Sequence, residues 1–493
     1  MQTTTDTGQR APLRLGQQLK RQKSISSMAR EAEDNGGNGT MRRSLGLMQL
    51  TMISVGATMG TGILVVLGAT VPVAGPAIWI SFVLAGVTAL FSAFSYAEMA
   101  GMVPVSGSSY SYTYATMGEG IAWVCGWCLV LEYAVSVAAV AVGAGEYVNE
   151  ALHTLGLEIP TALAGGPSEG GVVNLPALIV VLLATLLLAR GAKESAIVNT
   201  TVVIIKTCIL VFFSIVAFTA FDAGNFEPLL PMGAAGVTGA ASIVFFSYIG
   251  FDAASTAGEE AINPKRDLPK AILLSMIIVT VAYVLVAVSA IGARDWTWFE
   301  GTEAALVQII GELTGQTWIV LLFAIAAVLA IASVVLTVLY GQTRILLTMS
   351  RDGLVPAIFS RVSRRTGTPV AGTFITGGIV AITAGFIPLG ALAEATSIGT
   401  LFAFALVGVS VIYLRRKQPH APRTYKAPLY PLTPLLGIGA CLFLMANLSW
   451  HTWLVFGIWM LVGVGLYLGY GRSRSRLGAL SKAQYIKSHT GDS

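Results

Sequence analysis

Apolar runs of about 20 residues recur about twelve times along this chain, and that spacing is what a helix needs to cross a bilayer. At roughly 22 residues each, such runs occupy over half of the 493 residues. Only 11% of the residues are charged, against roughly 25% in a soluble domain. Mean hydropathy is +0.74. No room remains for a sizeable soluble domain. The net charge of +5 lies in short loops and the two tails, so it is not a nucleic-acid footprint.

The runs give spans at 47–72, 77–102, 118–148, 173–189, 195–220, 238–260, 270–292, 316–348, 370–387, 391–414, 430–448 and 452–470. Spans one to five cover 174 residues and spans six to ten cover 177. Near-equal halves of five spans must face opposite ways, because five is odd. That is the arithmetic of an inverted repeat. The fold class expected is an all-α polytopic membrane protein, five-plus-five, with two extra C-terminal helices. The expected organisation is an N-terminal tail at 1–45, a membrane domain at 46–471 and a C-terminal tail at 472–493.

Lys and Arg set the orientation. With the N-terminal tail inside, 28 of the 30 fall in inner loops or tails. Arg294 lies outside and Lys206 lies within a span. Both ends are therefore expected to be cytoplasmic. Residues 1–45 are polar and lack the apolar core of a signal peptide. They are expected to form a mostly disordered tail that can touch anionic lipid.

Two spans carry helix-breaking residues at matching places, half a chain apart. The first reads GATMGTGI, from Gly56 to Ile63, and the second reads FFSYIGFDA, from Phe245 to Ala253. Paired breaks of this kind point to a transporter's substrate site. An unwound backbone in lipid must find partners for its N–H and C=O groups, and a bound zwitterion supplies them. Gly60, Thr61 and Gly62 would expose N–H groups at the start of a half-helix, which suits a carboxylate. Gly56 and Gly60 also form a GxxxG, so close helix packing is the competing reading. The second break, from Ser247 to Gly250, would end a half-helix, and its carbonyls suit an ammonium. An anion site facing a cation site describes an α-amino acid.

Three ionisable residues lie deep in spans: Glu132 in the third, Lys206 in the fifth and Asp252 after the second break. Such residues mark function by default, at a cost of several kcal/mol each. A buried pair that merely holds helices together is the alternative for Glu132 and Asp252. Glu98, Glu259, Glu260 and Glu394 lie near span ends and read as interfacial. Cys125 and Cys128 form a CxxC on a membrane helix with no second pair, and read as small apolar residues. No metal or cofactor site is expected, and no catalytic motif of an enzyme is present: the four histidines fall in loops, tails or span ends.

The chain resembles the amino acid–polyamine–organocation (APC) superfamily, and within it the cationic amino acid transporter (CAT) subfamily. The resemblance runs from Ser44 to Gly471. It is carried by both breaks, by AGPAIWISFVLAG (Ala74 to Gly86), by SYAEMAGMVPVSGSSYSYTYATMGE (Ser95 to Glu119) and by LEY (Leu131 to Tyr133). The long stretch from Phe245 to Ile272 and YGQTRILLTMSRDGLVP (Tyr340 to Pro356) complete it.

The resemblance implies discontinuous first and sixth helices. It implies a substrate carboxylate on Gly60, Thr61 and Gly62, and an α-amine on the carbonyls of Phe246, Ser247 and Ile249. Phe251 or Phe246 would be an aromatic lid. Lys206 matches a fifth-helix lysine that replaces a sodium ion in proton-coupled members, bridging first- and eighth-helix carbonyls. Glu132 and Asp252 match acidic positions tied to the side-chain pocket or to coupling. The implied partners are an L-amino acid, cationic or small neutral, protons and the lipid bilayer, with no nucleic acid and no obligate protein partner. An exchanger of the same fold, or a non-transporting sensor, remains an alternative. A channel would need a continuous polar lining, which no span shows.

Overall fold

The computed structural model describes residues 18–23, 45–59, 62–103, 107–191, 196–302, 304–363, 366 and 368–478, without the side chains of 196, 197 and 259. Among these residues the chain is all-helical, with a single isolated bridge between Leu45 and Ala261. Eight helical stretches are long and apolar enough to cross a membrane, and five shorter apolar helices accompany them. Each expected span has its helix.

The first span is two helices, α1 (Leu47–Thr58) and α2 (Leu67–Ala74). Then come α3 (Ile78–Met102), α4 (Ser108–Thr116), α5 (Glu119–Thr154), α6 (Leu175–Ala189) and α7 (Ala196–Phe218). The second half holds α8 (Gly233–Val244), α9 (Pro264–Ala293), α10 (Ala305–Thr314) and α11 (Thr317–Arg351). It ends with α12 (Val370–Phe386), α13 (Leu389–Lys417), α14 (Leu432–Ala446) and α15 (Trp450–Leu466). The third span runs further than its apolar run, because Glu146, Glu150 and His153 continue the helix beyond it. The connecting helices α4 and α10 were outside the expected spans. Tyr and Ser fill α4, which has no apolar run to mark it.

The packing pairs equivalent helices of the two halves. The most extensive contacts are α5 with α11 and α3 with α9, and α6 meets α12. The two halves of the first span meet the two halves of the sixth: α2 meets α8, and α1 meets the helical turn Ala253–Thr256. Each pairing joins positions one repeat apart, as a pseudo-twofold requires. The outer faces of α7, α9, α12 and α15 expose large apolar side chains such as Ile215, Val281, Ile382 and Leu461. In a soluble protein that surface would be aggregation-prone; here it is a lipid-facing coat.

The tail expectation needs correction for residues 18–23, which dock on the body. The Glu119 N–H donates to the Arg21 carbonyl at 2.9 Å, and the Lys23 N–H to the Tyr114 carbonyl at 3.3 Å. Gly118 (φ +98°) allows this approach, since a Cβ there would lie 2.8 Å from the Lys20 carbonyl carbon. The start of the C-terminal tail docks as well. Arg472 Nε donates to Gln18 Oε1 at 2.7 Å, and the Arg476 N–H to the Asp352 carbonyl at 3.0 Å. Both terminal segments therefore lie at the same, Lys/Arg-rich end of the bundle.

Candidate functional site

The two breaks cross in the centre of the bundle. α1 stops at Thr58, and Met59 is extended (φ −75°, ψ 117°). The chain resumes after Gly62, whose carbonyl accepts the N–H groups of Val65 and Val66 at 3.0 and 2.7 Å. In the second break α8 tightens into a 3-10 turn at Phe245–Tyr248, Ile249 is extended, and Gly250 takes φ +107°. That conformation is open to glycine and strained for other residues.

Each break presents a glycine to the other. A Cβ on Gly62 would fall 1.7 Å from Ser247 Oγ and 2.3 Å from Ser247 Cα. A Cβ on Gly250 would fall 2.8 Å from the Ala57 carbonyl carbon. The crossing is thus backbone against backbone, at a separation that only glycine permits. Ser54 ties it from below: its hydroxyl donates to the Phe251 carbonyl at 2.7 Å and accepts from the Ala254 N–H at 3.2 Å.

Of the expected carboxylate donors, Gly62 is at the crossing, while Gly60 and Thr61 lie outside the described residues. Among the expected amine acceptors, the Phe246 carbonyl accepts from the Ile249 N–H at 3.2 Å and the Ser247 carbonyl from the Tyr283 hydroxyl at 2.9 Å. Each carbonyl keeps a second lone pair. Ser247 Oγ is fully buried against Gly62 and has no partner among the described residues. An unpaired buried hydroxyl costs about 1–3 kcal/mol, which a ligand's polar group would offset. Phe246 is also buried. Phe251 packs edge-on to Tyr96 at 5.5 Å and beside Phe404 at 4.9 Å. This aromatic cluster closes the second break on the α4 side.

Lys206 lies on α7 and is 2% exposed. Its Nζ donates to the Gly56 carbonyl at 3.0 Å. Gly56 is in the last turn of α1, where carbonyls lose their helical partners and carry the negative end of the dipole. An ammonium is the natural cap there. Gly56 also packs tightly on α7, since its Cβ would meet Val203 at 2.6 Å. The close-packing reading of Gly56 holds, and the missing side chain lets α7 approach and bring Lys206 with it.

The two buried acids differ from a structural pair. Glu132 on α5 is 0% exposed, with the Thr400 hydroxyl of α13 beside it and no ion-pair partner among the described residues. Gly399 of α13 faces it, with a would-be Cβ 3.7 Å from Glu132 Cβ. Asp252 accepts from Ser108 Oγ at 2.7 Å through one oxygen, and the other has no hydrogen-bond partner among the described residues. Tyr96 is within electrostatic reach of both carboxyls, and its hydroxyl lies beside that of Ser109.

Glu98 behaves otherwise: it lies near the end of α3 and is enclosed by protein. It is 1% exposed and meets Arg415 at 2.5 Å, Arg423 at 3.2 Å and the Ala427 N–H at 2.8 Å. Arg415 comes from the last turn of α13, and Arg423 and Ala427 come from the basic connector that follows it. Glu394 accepts from Ser449 and Thr452, both at 2.5 Å, at the start of α15. Tyr283, Ser54 and Ser108 were not singled out in the sequence. Lone hydroxyl residues in apolar or loop segments carry no spacing signal.

The amino acid permease family model matches residues 45–466, which include both breaks and Glu132, Lys206 and Asp252. The chain belongs to the amino acid permease family. It is 44% identical to the branched-chain amino acid permease BcaP of Bacillus subtilis (strain 168), over 90% of this chain and 96% of that protein. It is 38% identical to the methylthioribose transporter of the same organism, over 93% and 99%. Similarity extends to the vacuolar cationic amino acid transporter 4 of Arabidopsis thaliana, at 36% identity over 81% of this chain and 68% of that one. All of these names describe carriers, so this family member is a transporter and not an enzyme. The cargoes in those names are a branched-chain amino acid, methylthioribose and a cationic amino acid. A shared scaffold therefore serves different side-chain pockets.

Proposed function

We propose that this permease is a secondary active transporter that takes L-amino acids across the plasma membrane by alternating access, driven by protons, with both termini cytoplasmic. The cargo is a cationic or small neutral amino acid. The observation that carries the proton reading is the Lys206 ammonium on the Gly56 carbonyl, at 3.0 Å. It places a fixed, titratable cation on the carbonyl end of α1, where a sodium ion would otherwise be the counter-charge. The amino acid reading rests on the crossing itself: Gly62 on one side, and the carbonyls of Phe246, Ser247 and Ile249 on the other. The relatives' names widen the neutral class to branched-chain side chains. The buried Glu132 carboxyl, with no ion-pair partner among the described residues, suits a cationic one.

The test is uptake by purified protein in liposomes, in sodium-free buffer, with and without an inward proton gradient. The panel should hold labelled arginine, lysine, alanine, leucine, isoleucine and valine, with methylthioribose alongside. Accumulation of one amino acid class only with the gradient is expected. Flux only into liposomes preloaded with amino acid would replace the symporter with an exchanger. Binding without flux would indicate a sensor.

A further inference from the structure

Tyr283 lies on α9, which is continuous and contributes to neither break. Its hydroxyl is nevertheless 2.7 Å from the Thr58 carbonyl and 2.9 Å from the Ser247 carbonyl. Thr58 is the last residue of α1, and Ser247 lies in the 3-10 turn of the second break. We propose that Tyr283 is a positioning residue that clamps the two breaks to each other, so that substrate affinity depends on its hydroxyl. The inference rests on the reading that the crossing is the substrate site.

The ring is held where it can do this. Tyr283 is fully buried, with Phe82 edge-on at 5.8 Å and Tyr248 edge-on at 5.4 Å. Tyr248 in turn donates its hydroxyl to the Phe82 carbonyl at 2.8 Å. These contacts span α3, the second break and α9, so the phenol has one orientation. Edge-to-face contacts of this kind contribute about 0.5–1.5 kcal/mol each beyond burial.

The electrostatics explain why a hydroxyl is needed. Thr58 and Ser247 both end helical segments, and their carbonyls carry partial negative charge toward the same point. Two such oxygens repel in a medium of low dielectric. The single Tyr283 proton sits between them and makes the approach favourable. That approach is what brings Gly62 against Ser247. When α1 moves relative to the second break during alternating access, one of the two bonds must be released. The clamp therefore favours the crossed, substrate-binding arrangement without touching the coupling lysine, which caps a different carbonyl.

Tyr283→Phe removes the proton and keeps the ring. In liposomes, with the full chain and an L-amino acid that the wild type carries, KM is expected to rise about tenfold, or about 1.4 kcal/mol. The maximal rate should stay within twofold. An unchanged KM, or a collapse of the maximal rate at unchanged KM, overturns the clamp. If Tyr283→Phe yields no folded protein by size-exclusion chromatography, Phe82→Leu takes its place. It loosens the ring and spares the hydroxyl, and a KM within twofold of wild type there overturns the proposal too. Wild-type liposomes that take up no amino acid would defeat the substrate reading itself, which is a separate outcome from a wild-type-like Tyr283→Phe.

Discussion

Lys23 Nζ lies 2.9 Å from Asp352 Oδ1, joining residues 329 positions apart at the Lys/Arg-rich end of the bundle. Both side chains are largely buried, and Tyr110 donates to the second Asp352 oxygen at 2.7 Å. Asp352 follows α11, and its own carbonyl accepts from Arg476. One residue thus gathers three segments: its carboxylate holds the N-terminal segment and α4, and its backbone carbonyl holds the C-terminal segment.

Lys23→Ala should release residues 18–23 from this anchor. Stripping one partner from a buried polar group costs about 1–3 kcal/mol. Local opening governs exchange and cleavage in such a segment. Amide exchange at residues 18–23 is expected to quicken roughly tenfold, at about 1.4 kcal/mol per decade. Trypsin should cut sooner after Lys20 and Arg21. Unchanged exchange in Lys23→Ala would show that the backbone bonds to Glu119 and Tyr114 hold the segment alone.

Gly62 should tolerate no side chain at all. A methyl at 1.7 Å from Ser247 Oγ cannot be accommodated in place, and overpacking of a tight site costs about 1–3 kcal/mol or more. Gly62→Ala is expected to lower uptake by 100-fold or more, and Gly62→Leu to abolish substrate binding. Ser247→Gly should not rescue Gly62→Ala, because the Ser247 Cα itself lies 2.3 Å from the added atom. Wild-type affinity in a folded Gly62→Leu protein would put the substrate elsewhere.

Lys206→Ala should leave α1 uncapped at Gly56 and uncouple uptake from the proton gradient. The accumulation ratio, not the rate of facilitated flux, is the readout. It should fall to about one, since without a titratable cation no proton is exchanged per cycle. Arginine at this position should not restore accumulation, because it does not release its proton in the accessible range. Undiminished uphill uptake in Lys206→Ala would transfer the coupling role to Asp252 or Glu132.

Much of this was readable in the sequence, and what was missed shares a physical cause. The twelve spans and both breaks are local signals: apolar length, glycine pairs, and the residues between them. Lys206 was legible because a lone ammonium in an apolar helix demands an explanation, and it now has the Gly56 carbonyl. Tyr283, Ser108 and Lys23 were not, because each acts on backbone or side chains far away in sequence. A tyrosine in an apolar helix is ordinary until its neighbours are known. The partners of Glu98 were hidden for the same reason: its place near a span end was readable, but Arg415 and Arg423, which enclose it, lie more than 300 residues away.

Glu98 and Glu132 give the last prediction, because burial is the same and satisfaction is opposite. Glu98 has two guanidinium partners and a backbone N–H, so removing its charge strands buried arginines. Breaking such a pair costs about 3–5 kcal/mol. Glu98→Gln should therefore lower the midpoint of thermal inactivation, while the protein that remains folded still carries substrate with near wild-type KM. Glu132 has no ion-pair partner among the described residues and only the Thr400 hydroxyl beside it, so its burial is weakly compensated in the absence of substrate. Replacing it by Glu132→Met, of similar shape, should raise the thermal midpoint and abolish gradient-driven uptake. Stability gained at the expense of activity is the mark of a group kept for function. A destabilised Glu132→Met protein would show instead that this carboxyl holds helices together, and would return Glu132 to the structural reading.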